Sequence, residues 1–185
     1  MRTDAAKNRQ KIFRATSHLL EQSNGQRITM AQIAQKAGVG IGTLYRNFPT
    51  KGDLFIALAY AQLDEYLVAQ EAMFQQKPIN RQTIKQALRQ YLDSRERRQR
   101  LLPTGSLESI SRYYQRPNYR RLHQLFTTLI GHYDPHLDQQ TISFRADMLI
   151  SCLRADSYHL QRNARHLTPQ QILDQLMALF FPKIK

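Results

Sequence analysis

An all-α fold is what this sequence predicts, and two features predict it. Apolar residues recur at three- and four-residue spacings throughout, with no alternating stretch of the kind a half-buried strand requires. Helix stops and restarts also punctuate the chain at regular intervals. The first helix covers roughly 5–23, with Ile12, Ala15, Leu19 and Leu20 on one face, and ends at Asn24-Gly25. Thr29 opens a second, Ala37-Gly38-Val39 breaks it, and a short third follows. Pro49-Thr50 stops that helix and caps a long fourth one from Lys51 to about Gln76, ended by Pro78. Asn80 opens a fifth with a buried stripe of Ile84, Ala87, Leu88, Tyr91 and Leu92, stopping at Pro103. Shorter helices are expected over 104–114 and 117–133, separated by Arg116-Pro117-Asn118. Asp138 opens a helix to about Asn163, and Thr168-Pro169-Gln170-Gln171 opens the last.

The stretch from Ile28 to Leu54 is the most informative. Thr29 can cap its helix while Gln32 reaches back to complete a capping box, and Ile28 can staple onto Ile33. Gly38 is free to take the left-handed conformation that ends the helix. At about 100° per residue, Leu44 and Phe48 point one way with Ile41 at their border, while Gly42, Thr43 and Arg46 point the other. Tyr45 and Asn47 lie on the flanks. Such a helix packs on one side against its own domain and offers the other to a duplex. Gly42 removes a side chain where a base edge would come close, and Thr43 offers a hydroxyl and a methyl that suit a thymine. The pattern Thr, Ile-Ala, Ala-Gly-Val, Gly-Thr-Leu-Tyr, aromatic, Lys-x-x-Leu resembles the DNA-binding end of the TetR (tetracycline-repressor-like) family of bacterial regulators.

Charge agrees with a polyanionic partner. The chain carries 27 Lys and Arg against 14 Asp and Glu, a formal +13. Residues 1–50 hold eight basic and two acidic side chains, a net +6. Arg2, Lys7, Arg9, Lys11 and Arg14 cluster around the first helix, where phosphates supply most sequence-independent affinity. Composition bounds the rest: 185 residues, 42% apolar, form one or two small globular units. No apolar run approaches the roughly 18 residues of a membrane span, and the polar N-terminus lacks a secretion signal, so a cytoplasmic protein is expected. The single Cys152 excludes an internal disulfide and is expected to be a buried thiol on an apolar helical face. No catalytic pair, metal cluster, phosphate loop or cofactor motif is visible.

The resemblance is specific over residues 8–56 and divides the chain into a DNA-binding domain, 1–49, and a helical ligand-binding and dimerisation domain, 50–185. It implies that Thr29, Tyr45 and Lys51 touch phosphates and that Ile41, Gly42 and Thr43 approach base edges. Gly40 and Arg46 complete the expected DNA-binding set. Three positions depart from the family pattern: Gly40 stands for a frequent Ser, Asn47 for a frequent His, and Gly52 for a common acidic residue. Asn47 can serve either a phosphate or an adenine edge.

The last two long helices each show two apolar faces, and a helix apolar on two sides must bury both. Ile142, Ala146, Leu149 and Leu153 form one stripe; Phe144, Met148, Ala155 and Tyr158 form a second. On the final helix Ile172, Leu176 and Leu179 face one way, and Leu173, Met177 and Phe180 another. Burial of the second set (Phe144, Met148, Ala155, Leu173, Met177 and Phe180) against a second copy is the expected use, and the family resemblance implies the same homodimer. A double-stranded palindromic operator then follows, because two recognition helices related by a twofold axis read two half-sites. The resemblance also implies a small-molecule effector, anionic or aromatic, with Arg112, Tyr113, Arg116, Tyr119, His123 and Phe126 as candidate contacts. The aromatic residues can equally be core and the arginines a solvated face. The reading is thus a repressor released by a small molecule; the alternatives are a DNA-bound scaffold without inducer and an α-helical enzyme.

Overall fold

The computed structural model describes residues 2–23, 28–99, 101 and 117–183, and every regular element among them is helical. In order these are α1 (Arg2–Gln22), α2 (Met30–Ala37), α3 (Ile41–Asn47), α4 (Lys51–Gln76), α5 (Arg81–Gln99), α6 (Pro117–Tyr133), α7 (Gln139–Cys152), α8 (Ala155–His159), a π-helical turn (Leu160–Ala164) and α9 (Pro169–Phe180). The chain forms two compact units, Met1–Ala59 and Tyr60–Lys185, so the division falls inside α4. The helix expected over 104–114 lies outside the described residues.

The first unit is built on Ile12, Ile28, Met30, Ile33, Ala34, Leu44, Phe48 and Leu54, which form one buried cluster. Leu19, Leu20 and Phe13 pack against it from α1. At roughly 1.5–3 kcal/mol for each fully buried large apolar side chain, these few residues set the mutual arrangement of α1, α2 and α3. Thr16, buried beside them, donates its hydroxyl back to the Ile12 carbonyl at 2.7 Å.

The second unit has its own core. The α5 stripe of Ile84, Ala87, Leu88, Tyr91 and Leu92 is buried as its spacing requires, against Leu63, Tyr66 and Leu67 of α4. Leu122, Phe126, Leu129 and Ile130 of α6 join it, with Ile142, Ala146 and Leu149 of α7. Asn80 caps α5, its side-chain Oδ1 accepting from the Gln82 and Thr83 amides at 2.9 and 3.0 Å. Asp138 caps α7 through the Thr141 amide at 2.9 Å. Thr168 and Gln171 form the expected capping box of α9, with Pro169 in its first turn. Lys85 and Arg89 of α5 reach Asp174 and Gln170 of α9 at 2.9 and 2.7 Å.

Four expectations are corrected. The helix from Asp138 does not run on to Asn163: it ends at Cys152, and Arg154 adopts an extended backbone (ψ 160°) that starts α8 afresh. The cause lies in tertiary contacts, since no Gly or Pro stands there. A continuous helix would turn Tyr158 about 160° away from Ile142. With the break, Tyr158 becomes fully buried and donates to Glu96 at 2.5 Å, while Arg162 meets the same carboxylate at 2.7 Å. Burial and the adjacent Glu96 charge push the Tyr158 phenol well above its ordinary pKa. Tyr158 therefore leaves the stripe shared with Phe144 and Met148.

On α9, Leu173 and Met177 are 1% and 2% exposed within their own chain. With Ile172 and Leu176 they form one wide buried face, because neighbours at i, i+1, i+4 and i+5 span only about 140°. They retain no surface for a partner. Leu179, by contrast, is 69% exposed although it was assigned to the inner face. Cys152 is exposed too, one turn beyond Met148, and partial burial of its sulfur raises the thiol pKa.

Candidate nucleic-acid interface

The site is assembled from its turns outward. The Thr29 hydroxyl accepts from the Gln32 amide at 3.2 Å, and the Gln32 side-chain oxygen accepts from the Thr29 amide at 2.8 Å. Thr29 also donates its hydroxyl hydrogen to that oxygen at 3.0 Å. Both groups of Thr29 are thus committed to starting α2. At the other end, Gly38 sits at φ +64° and ψ +37°. Its amide donates to the Gln35 carbonyl and that of Val39 to the Ala34 carbonyl, both at 3.1 Å, closing a Schellman motif.

α3 starts at Gly40, whose carbonyl accepts from Thr43 and Leu44 at 2.9 and 3.1 Å; no side chain caps it. Leu44 and Phe48 anchor the helix in the core, fully buried. That leaves Ile41 45% and Tyr45 48% exposed, large apolar side chains standing in solvent on a seven-residue helix. Gly42 and Arg46 are exposed beside them, and Thr43 is half-buried. A Cβ added at Gly42 would meet nothing within 4 Å, so the open face there belongs to no part of the chain itself. Arg46 Nη2 donates to the Thr43 hydroxyl oxygen at 3.2 Å, leaving that hydroxyl its own hydrogen to give away.

Asn47 uses one of its two side-chain amide hydrogens on the Thr43 carbonyl at 2.8 Å, one turn back. That bond leaves Asn47 its second amide hydrogen and its side-chain oxygen, and it fixes the direction in which they point. Thr50 and Asp53 then restart the chain as a second capping box: the carboxylate accepts the Thr50 amide and hydroxyl at 3.0 and 2.7 Å, and Thr50 accepts the Asp53 amide at 3.1 Å. Lys51 Nζ donates to the Ile28 carbonyl at 2.8 Å and lies 5.4 Å from the Phe55 ring centre. That bond ties the start of α4 to the entry of α2 and leaves two of the ammonium's three donors.

Positive charge frames this face. Lys7, Lys11 and Arg14 are exposed on α1. Arg9 is exposed but held, its guanidinium 5.1 and 5.2 Å from the ring centres of Phe13 and Phe48. The sequence reading missed that stack, which links α1 to the end of α3; an aromatic pair at 13 and 48 beside a cation at 9 was its only signal.

A family model for bacterial regulatory proteins of the tetR family matches residues 12–58, the span that holds these elements. An HTH-type transcriptional regulator of Staphylococcus aureus strain MRSA252 is 30% identical over 187 residues, covering 97% of this chain and 95% of its own. Another, from strain MSSA476, is 26% identical over 186 residues, covering all of this chain and 98% of its own. The chain belongs to the TetR family. In structure, it is similar to a TetR transcriptional regulator from Rhodococcus sp. RHA1, with a TM-score of 0.60 at 17% identity, over 96% of this chain and 98% of that one. This TetR-family chain is a helix-turn-helix DNA-binding transcriptional regulator, and its relatives and fold are those of regulators rather than enzymes. No described helix is long and apolar enough to cross a membrane, and no described cluster of His, Cys, Asp and Glu could hold a metal.

The remaining candidate residues separate. Arg112, Tyr113 and Arg116 lie outside the described residues. Tyr119 and His123 stack at 5.9 Å between ring centres, and both turn toward Asp147: the Tyr119 hydroxyl donates to it, and His123 Nε2 lies 3.4 Å away. His123 also meets the Ser143 hydroxyl at 3.2 Å. Phe126 is not with them; it is fully buried, edge-on to Tyr91 at 6.1 Å. Of the expected interface set, Phe144, Met148 and Ala155 are exposed, Phe180 is half-buried, and Leu173 and Met177 are core.

Proposed function

We propose that two copies of this chain bind a palindromic duplex through the outward face of α3 and repress transcription by occupying that operator. The observation that carries the reading is that face itself: Ile41 and Tyr45 exposed, Gly42 open, and Thr43 between them, on a helix locked from behind by Leu44 and Phe48. Ile41, Gly42 and Thr43 meet base edges, and Gly40 lets the helix start approach closely. Tyr45, Arg46, Asn47 and Lys51 serve phosphates, where one retained donor each is enough. Thr29 contributes through the α2 start that it caps. We assign DNA reading to residues 1–49 and effector binding and dimerisation to 50–185, in the cytoplasm where the DNA is.

The dimer face is the exposed stripe of α7, Phe144 and Met148, continued by Ala155, with Leu179 and Phe180 from α9. Phe144 at 61% exposure and Leu179 at 69% are large apolar side chains that water solvates poorly. A small molecule bound in the second unit releases the operator. A hundredfold release requires the ligand to prefer the non-binding state by about 2.7 kcal/mol, within the usual range of allosteric coupling.

The test is selection of genomic fragments by the purified full chain, followed by affinity measurements across a salt series. An enriched palindrome is expected, with affinity falling steeply as salt rises. Recovery of no palindrome would end the regulator reading.

A further inference from the structure

Polar groups without partners concentrate between α4 and α5. Arg98 is only 4% exposed, yet its guanidinium meets no carboxylate among the described residues. Nε donates to the Ser94 carbonyl at 3.2 Å, the group lies 5.1 Å from the Tyr91 ring centre, and Nη2 is buried without a hydrogen-bond partner. The neighbouring acids are engaged or face water. Glu96 holds Tyr158 and Arg162; Asp64 and Glu71 both pair with Arg121; Glu65 and Asp93 are exposed. A buried cation left uncompensated costs several kcal/mol, so a fold that keeps one has a use for it.

The surroundings describe what would compensate it. Oε1 of Gln62, Oε1 of Gln70 and Oγ of Ser94 are also buried without partners. α4 and α5 run antiparallel, since only residues 77–80 join them and Tyr66 and Tyr91, ten residues to either side of that connection, meet. One turn before Tyr66 on α4 stands Gln62; about one and two turns after Tyr91 on α5 stand Ser94 and Arg98. Gln62, Ser94 and Arg98 thus fall on one side of the Tyr66–Tyr91 pair along a single seam, and Gln70 on the other. Along the seam lie Tyr66 and Tyr91, edge-on at 5.3 Å, and the apolar side chains of Leu63, Leu67 and Leu88. The site combines one desolvated cation, a few hydrogen-bonding groups and an apolar wall.

We propose that Arg98 anchors the anionic head of the effector, and that the effector is an amphipathic carboxylic acid whose apolar body lies along the Tyr66–Tyr91 seam. This rests on the ligand-released regulator proposed above and names its ligand class. A carboxylate supplies a charge-assisted bond to the Nη2 that has no other partner, while the amide of the same acid cannot neutralise the guanidinium.

The experiment uses the full-length protein with octanoate and benzoate as probes, their amides as neutral matches, and inorganic phosphate as an anion without an apolar body. Calorimetry is expected to show at least one acid binding at least tenfold tighter than its amide. Arg98→Met should erase that preference, and Arg98→Lys should keep part of it. Arg98→Met should also melt no lower than the parent and bind operator normally without ligand. Equal binding of acid and amide, phosphate binding as tight as the acids, no acid binding, or an Arg98→Met protein that has lost operator affinity would each overturn the proposal. Failure of the regulator reading shows separately, as wild-type protein that selects no palindrome.

Discussion

Gly42→Ala should separate folding from recognition. The new Cβ meets nothing within 4 Å in the free chain, and Gly42 lies inside α3 with no positive φ. Alanine there removes the backbone entropy that glycine loses on folding, so stability should rise by up to about 1 kcal/mol. If the α3 face presses on base edges, the same methyl enters the contact. Losing one base contact costs about 1–3 kcal/mol, and a symmetric complex suffers it twice, so operator affinity should fall by roughly thirtyfold at the low end of that range. Urea unfolding measures the first quantity, and fluorescence anisotropy on a labelled operator at fixed salt measures the second. A variant that is more stable and binds as tightly as its parent would refute the placement of Gly42 against the bases. One that is less stable would refute the open surroundings from which the argument starts.

Gly38→Ala should do the opposite, costing about 1–2 kcal/mol through its left-handed φ alone, because its Cβ would also meet nothing; urea midpoints check this. Lys51→Ala should weaken all duplexes alike and reduce the salt slope by about one, whereas Thr43→Ala should relax preference at one base position, both read from binding to a substituted operator panel. Phe144→Arg should yield folded monomers in sedimentation experiments, while Leu173→Arg should unfold the chain by burying an unpaired charge; folded Leu173→Arg monomers would return the interface to the inner face of α9.

What was legible in the sequence was local. Thr29 with Gln32, Gly38 in its turn, Thr168 with Gln171 and the α5 stripe each report on positions three or four residues away, and the backbone follows them. The outward face of α3 was readable because two large anchors, Leu44 and Phe48, leave a seven-residue helix little rotational freedom. The finer roles were not. That Asn47 spends its amide on Thr43, or that Lys51 holds the Ile28 carbonyl, depends on which groups the turns bring together.

The errors on α7 and α9 share one physical origin. Apolar periodicity tells how wide a face is, but not which neighbour covers it. Ile172, Leu173, Leu176 and Leu179 read as two stripes, yet the first three are buried with Met177 in a single core. Tyr158 read as part of an outer stripe because the helix was extended through Arg154, where no residue type signals a stop. The stop comes from Glu96, more than sixty residues away in sequence, which draws in both the Tyr158 hydroxyl and the Arg162 guanidinium. The same logic bears on Arg98. Packing alone reveals that one cation of α5, Arg98, is sealed against Tyr91 with no carboxylate beside it among the described residues. A charge that the fold buries and leaves unneutralised is a stronger pointer to a ligand than several exposed ones, because water already satisfies the exposed ones.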